Sequence, residues 1–181
     1  MTRRERPLRK PLDQRRLDDL ALHYAARFST TRAKLAQYLR RKLRESGWQG
    51  EGEPPVDAVV ERFVEAGYVD DAVYARVRTS GLLRRGYGER RIASALYAAG
   101  VDKDLQAELR PTDNAARKAA LALAKKRRFG PFGAEQPDPA NREKQLSAML
   151  RAGHPLASAR ILVNAQTIDD CEEWCGQDDD E

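Results

Sequence analysis

Two arginine pairs, Arg84-Arg85 and Arg90-Arg91, bracket a Gly-Tyr-Gly triplet in the stretch RRGYGERRI. Guanidinium groups carry planar donor forks that match phosphate and carboxylate oxygens, so the chemistry on offer is anion recognition. A second run, KKRRFG, sets Lys125, Lys126, Arg127 and Arg128 before another aromatic and another Gly, and ARFS repeats the pairing of a basic, an aromatic and a small residue earlier in the chain. Tyr87 and Phe129 can stack on nucleic-acid bases or seal small apolar cores beside helix ends. A charge run of this kind also has a plain reading as a solvated turn, which its recurrence at three joints weakens.

Residues for bond-making chemistry are sparse. Nucleophilic catalysis needs an activated Ser, Cys or Thr beside a base, and neither His23 nor His154 stands in such a motif. No glycine-rich phosphate loop follows a strand pattern. Asp70-Asp71 is the compact acidic pair, and acids directly after a glycine turn fit caps for the next helix. Cys171 and Cys175 lack the nearby His or further Cys that a metal site requires, and they are expected as free thiols outside any core. The sequence thus predicts a non-enzyme with no cofactor and no metal.

Charge narrows the partners. The chain of 181 residues has a formal net charge of +5, yet residues 169–181 hold eight carboxylates and no basic side chain, which leaves +13 on residues 1–168. Such an excess favours polyanions or acidic protein surfaces. The acidic end is expected to be a solvated tail whose deletion spares folding and strengthens polyanion binding. No apolar run reaches the length of a membrane span, and no apolar signal core follows the Arg-rich start, so a cytoplasmic monomer is expected.

The elements that must position these charges read as helices throughout. Leu17, Leu20, Ala21, Tyr24 and Phe28 form one stripe; Leu35, Leu39 and Leu43 form the next, capped from Ser29 and stopped at Gly47; Val56, Val59, Val60, Phe63 and Val64 form a third that closes at Gly67. The order of helix, basic joint, helix, Gly and short helix then recurs, and Gly47, Gly100 and Gly153 fall 53 residues apart. The predicted fold is all-α, an elongated tandem array of three-helix repeats: a basic mobile arm over 1–16, repeats over 17–67, 68–110 and 111–168, and the acidic tail over 169–181. The Pro- and Gly-rich stretch FGPFGAEQPDPAN is expected to let the third repeat pivot on the second.

The segment EAGYVDDAVYARVRTSGLLRRGYGERRIASALYAAGV resembles the central signature of the RecX regulatory proteins, in which Gly, two apolar residues and Asp-Asp precede an aromatic and an Arg-rich Gly joint. LALHYAARFSTTRAKLAQYLRRKLRESG and REKQLSAMLRAGHPLASARILV resemble the family's flanking units, so the likeness spans about residues 17–165. Tyr68, Val69 and Tyr74 depart from the usual residues while keeping bulk, and Thr79-Ser80-Gly81-Leu82 is poorer in Arg than in many relatives.

The resemblance implies a fold of tandem three-helix repeats and a modulator of the RecA recombinase that binds the filament on single-stranded DNA and inhibits its ATPase and strand exchange. On their charge, Arg84, Arg85, Arg90, Arg91, Lys125, Lys126, Arg127 and Arg128 are the expected contacts to RecA and to DNA phosphates. A stand-alone helix-turn-helix DNA-binding protein is the alternative, although no unit gathers Asn, Gln and Arg at a helix start for base readout. An inert helical scaffold has no use for the charge.

Overall fold

The computed structural model of the chain describes residues 10–176, so Arg3, Arg4, Arg6 and Arg9 of the expected arm and residues 177–181 of the expected tail lie outside the described residues. Ten α-helices and one 3-10 turn form the regular structure there. The helices are α1 (Gln14–Arg27), α2 (Arg32–Ser46), α3 (Val56–Glu65), α4 (Asp71–Arg84), α5 (Glu89–Tyr97), α6 (Lys103–Glu108), α7 (Asp113–Arg127), α8 (Pro139–Arg151), α9 (Leu156–Asn164) and α10 (Ile168–Gly176). An isolated bridge between Leu12 and Trp48 is the extended pairing among the described residues. The fold class is therefore all-α, as the apolar periodicity predicts. No helix among the described residues is long and apolar enough to cross a membrane.

The helices gather into two compact units, one of residues up to Tyr74 with Ala99–Val101, the other of Ala75–Ala98 with the residues from Asp102 onward. In the first unit, Leu17 and Ala21 of α1, Leu35, Ala36 and Leu39 of α2 and Val56, Val59 and Val60 of α3 share a core, each set at the three- and four-residue spacing that puts side chains on one helix face. Asp13 caps α1 by accepting from the Arg16 N–H at 2.8 Å. Thr31, not Ser29, caps α2: its hydroxyl accepts from the Lys34 N–H at 3.2 Å and donates to the Ala99 carbonyl at 2.5 Å. Position 31 wins because one buried hydroxyl there satisfies both groups. The acidic pair divides its work, since Asp70 accepts from the Val73 N–H at 2.8 Å and Asp71 from the Arg32 N–H at 2.9 Å.

The second unit has its own core of Ala120, Leu123 and Ala124 from α7, Met149 and Ala152 from α8, Ala159, Leu162 and Val163 from α9, and Cys171 from α10. The last residue overturns two expectations. Residues 168–176 are a helix rather than a solvated tail, and Cys171 and Cys175 are buried rather than outside the core. The physical reason is a reciprocal cap followed by an apolar stripe. Asp170 accepts from the Thr167 N–H at 2.9 Å while the Thr167 hydroxyl accepts from the Asp170 N–H at 3.1 Å, and Cys171, Trp174 and Cys175 then fall on one face. The two backbone and side-chain bonds from Thr167 hold the Asp170 carboxyl below its ordinary value. Burial, with Asp170 and Glu172 adding to it and Lys125 opposing, pushes the Cys171 thiol up, so it stays protonated and inert.

The stretch expected as a pivot is anchored inside the second unit. Its Pro- and Gly-rich stretch forms the 3-10 turn Gly130–Phe132, anchored where the Gly130 N–H donates to Gln145 Oε1 at 2.8 Å. A side chain at Gly130 would meet the Val163 Cα at 3.2 Å, so the turn lies directly on α9.

Candidate functional site

Three helices of the second unit end in the same way. After α4, the Gly86 N–H donates to the Leu83 carbonyl at 2.8 Å and the Tyr87 N–H to Leu82 at 3.1 Å. After α8, the Gly153 N–H donates to Leu150 at 3.0 Å and the His154 N–H to Met149 at 3.2 Å; after α7, the Arg128 N–H donates to Lys125 at 3.2 Å and the Phe129 N–H to Ala124 at 2.9 Å. Each is a Schellman closure, in which a residue with positive φ reverses the chain and the next residue folds back on the last turn. The recurrent pattern of basic residue, glycine and aromatic is thus a helix-stop signature, with Tyr87 and Phe129 in equivalent places. ARFS belongs to the other unit and differs, because Phe28 leaves α1 extended, with φ −131°.

The glycines of the RRGYGERRI joint are there for space as well as for conformation. Gly86 has φ +80°, and a side chain on it would meet the Leu123 backbone nitrogen at 2.9 Å. Gly88 has an ordinary φ of −83°, yet a side chain there would come within 2.5 Å of the Gly153 carbonyl carbon and 2.6 Å of the His154 nitrogen. Backbone therefore lies on backbone. The Gly88 N–H donates to the Ala152 carbonyl at 2.9 Å and the Arg90 N–H to Gly153 at 3.2 Å. His154, buried at 1 % exposure, has its Nε2 3.0 Å from the Gly86 carbonyl. A carbonyl only accepts, so Nε2 carries the proton. Burial pulls the His154 pKa below its ordinary 6.5, with the Gly86 bond partly opposing. His154 is a structural clasp.

That clasp gathers the basic helix ends. A cleft of about 410 Å³ is lined by Arg85, Tyr87, Arg91, Lys126, Arg127, Phe129 and Arg151, together with the apolar Leu123, Ala148 and Ala152. Among the described residues, five cations line it and no carboxylate does. Arg85 donates from Nε to the Gly81 carbonyl at 3.0 Å, and its guanidinium lies 5.7 Å from the Tyr87 ring centre. No carboxylate among the described residues forms an ion pair with any of the five. A cation at a helix C-terminus offsets the partial negative charge of the macrodipole, about half an elementary charge per helix. Arg85, Lys126, Arg127 and Arg151 stand at the ends of α4, α7 and α8, whereas Arg91 lies in the first turn of α5, so the five full charges exceed what the helix ends here require.

Of the eight residues singled out from the sequence, Arg85, Arg91, Lys126 and Arg127 line this cleft. Arg84, Arg90, Lys125 and Arg128 are exposed outside its lining. Lys125 is engaged by Glu172 of α10 at 2.7 Å and lies 5.8 Å from the Phe132 ring centre. Arg128 occupies the left-handed stop of α7, at φ +56° the one non-glycine with positive φ among the described residues. Arg151 is the cleft residue that sequence reasoning misses. Its signal is positional: it precedes Ala152-Gly153 as Arg84-Arg85 precede Gly86.

The chain has clear relatives. A family model described as RecX, second three-helix domain, matches residues 70–109. A protein of Myxococcus xanthus named regulatory protein RecX is 31% identical over 159 residues, covering 82% of this chain and 84% of that one. Its namesake from Agrobacterium fabrum is 30% identical over 159 residues, covering 84% of each. The crystal structure of RecX from Lactobacillus salivarius superposes with a TM-score of 0.64 at 16% identity, covering 84% of this chain and 95% of that one, which shows the shared fold. On the extent and identity of these matches, the chain belongs to the RecX regulatory protein family.

Proposed function

We propose that this chain is a non-enzymatic regulator of the RecA recombinase in DNA repair and recombination, binding the RecA filament on single-stranded DNA and suppressing its ATPase and strand exchange. The observation that carries the reading is the convergence, at the ends of α4, α7 and α8 and in the first turn of α5, of cations that no carboxylate among the described residues pairs with, in a member of the RecX family. RecA filaments present acidic protein surface beside DNA phosphates, and a ligand-free cleft of like charges is held at a cost that an anionic partner relieves. Arg84, Arg85, Arg90, Arg91, Lys125, Lys126, Arg127 and Arg128 are the proposed contacts to the filament, with the phosphates of its single strand as second partner. The three repeats over 17–67, 68–110 and 111–168 are proposed as the units that engage it.

The test is RecA ATPase on single-stranded DNA with wild type and with Arg84, Arg85, Arg90 and Arg91 all replaced by Glu. Inhibition by the wild type that declines with salt and is lost in the variant is the expected result. Equal inhibition by both proteins removes the joint from the contact. Sequence-selective duplex binding with no effect on RecA overturns the function itself.

A further inference from the structure

We propose that the cleft between the ends of α4, α7 and α8 is a seat for single-stranded nucleic acid, with phosphates held by Arg85, Arg91, Lys126, Arg127 and Arg151; this rests on the regulatory reading above and assigns one of its two partners to a place. The lining selects the ligand. Protein surfaces that meet proteins mix both signs, whereas five cations with no carboxylate among the lining residues match a phosphodiester chain, which is anionic at every step. Tyr87 and Phe129, half-buried against the second core, also line the cleft, and aromatic rings beside phosphate-binding cations are the arrangement that holds unpaired bases by stacking. Stacking requires bases freed from a duplex, so the seat takes a single strand.

The size agrees. About 410 Å³ lies in the range that encloses one small organic ligand, of roughly 300–1,000 Å³, and so admits a nucleotide unit. Rigidity agrees as well, because the walls are fixed by the Gly88 to Ala152 and His154 to Gly86 hydrogen bonds at 2.9 and 3.0 Å. The backbone that carries the cations therefore comes prearranged, which leaves their exposed side chains as the part that binding must order. Arg151 joins the phosphate contacts of this seat, and Lys125, tied to Glu172 outside the lining, serves the filament contact rather than the seat.

The test measures fluorescence anisotropy of a labelled oligothymidylate with the full chain, across salt, in parallel with RecA ATPase. The cleft variant carries Arg91→Gln, Lys126→Gln and Arg151→Gln; a control of equal charge carries Lys118→Gln, Lys144→Gln and Arg160→Gln, three exposed positions outside this lining. The cleft variant is expected to bind about tenfold or more weakly at low salt, with the log–log salt slope reduced by about 2, as three lost phosphate contacts on a single strand imply. The control is expected within about twofold of wild type. Arg151→Gln alone, which leaves the sequence-predicted residues in place, repeats the loss on a smaller scale should the triple variant lose its helical signal.

Oligonucleotide binding that the cleft substitutions leave intact overturns the seat and leaves RecA regulation standing. Loss of RecA inhibition with intact oligonucleotide binding overturns it too, by assigning the cleft to protein carboxylates. A wild type that inhibits RecA without binding the oligonucleotide also overturns the seat. A wild type that does neither overturns both readings.

Discussion

Gly88→Ala isolates the clasp from every charge around it. The residue has φ −83°, which alanine adopts without strain, so the added methyl acts only through space. It would stand 2.5 Å from the Gly153 carbonyl carbon and 2.6 Å from the His154 nitrogen, both backbone atoms without a rotamer to escape into. Reaching ordinary contact requires the joint to part from the α8 turn by about 1 Å, at an overpacking cost of about 1–3 kcal/mol. The same movement stretches the bonds from the Gly88 N–H to Ala152 and from the Arg90 N–H to Gly153, 2.9 and 3.2 Å long, each worth about 1 kcal/mol. A total of about 3–5 kcal/mol corresponds to a midpoint lowered by about 6–20 °C at this chain length. Thermal unfolding followed by circular dichroism reads it. Gly67→Ala is the comparison, because Gly67 has φ +74° with nothing near its added methyl and so measures left-handed strain alone, about 1 kcal/mol. A Gly88→Ala midpoint within about 2 °C of wild type would refute the backbone-on-backbone account.

Acidification should loosen the same clasp: the native His154 titrates below 6.5, so between that value and its lowered native pKa the unfolded chain binds more protons and stability falls as pH falls. Melting curves across this window should show a drop that His154→Gln, which keeps a donor and does not titrate, removes. Truncation after Gln166 takes away Cys171, Trp174 and Cys175 from the second core, at about 1–2 kcal/mol for each packed side chain; an unchanged melting midpoint would return the helix to the status of a tail. Arg128→Gly relieves a left-handed arginine and should stabilise by about 0.5–1 kcal/mol, while RecA inhibition weakens; stabilisation with full inhibition would remove Arg128 from the contact.

The parts of the fold legible in the sequence are those carried by local chemistry. Gly47, Gly100 and Gly153 mark helix stops at a fixed interval, and all three have positive φ, of 81°, 71° and 97°, so the period records a backbone requirement that few residues other than glycine meet. The apolar stripes of α1 to α3 reappear in their core, except for Phe28, which leaves the helix extended and stays exposed. The helix α10 was also legible, in Thr167-x-x-Asp170 followed by Cys171, Trp174 and Cys175. Its four carboxylates, Asp169, Asp170, Glu172 and Glu173, hide that stripe from a reading by composition, because net charge counts both faces of a helix at once.

The site was legible only in half, and for a different reason. Sequence shows which residues are basic, and it shows that RRGYGERRI and KKRRFG share a pattern, but it does not show which faces meet. Arg84 and Arg85 are neighbours in the chain, and one lies outside the cleft lining while the other is in it, since a helix turns about 100° between consecutive side chains. Arg151 joins them from more than sixty residues away. What brings it there is the contact of Gly88 with the Gly153-His154 backbone, which depends on two absent side chains. A glycine in a motif reads as conformational freedom, as Gly86 bears out at φ +80°. Gly88 uses the missing side chain for access instead, and on that access the five charges depend for their common cleft.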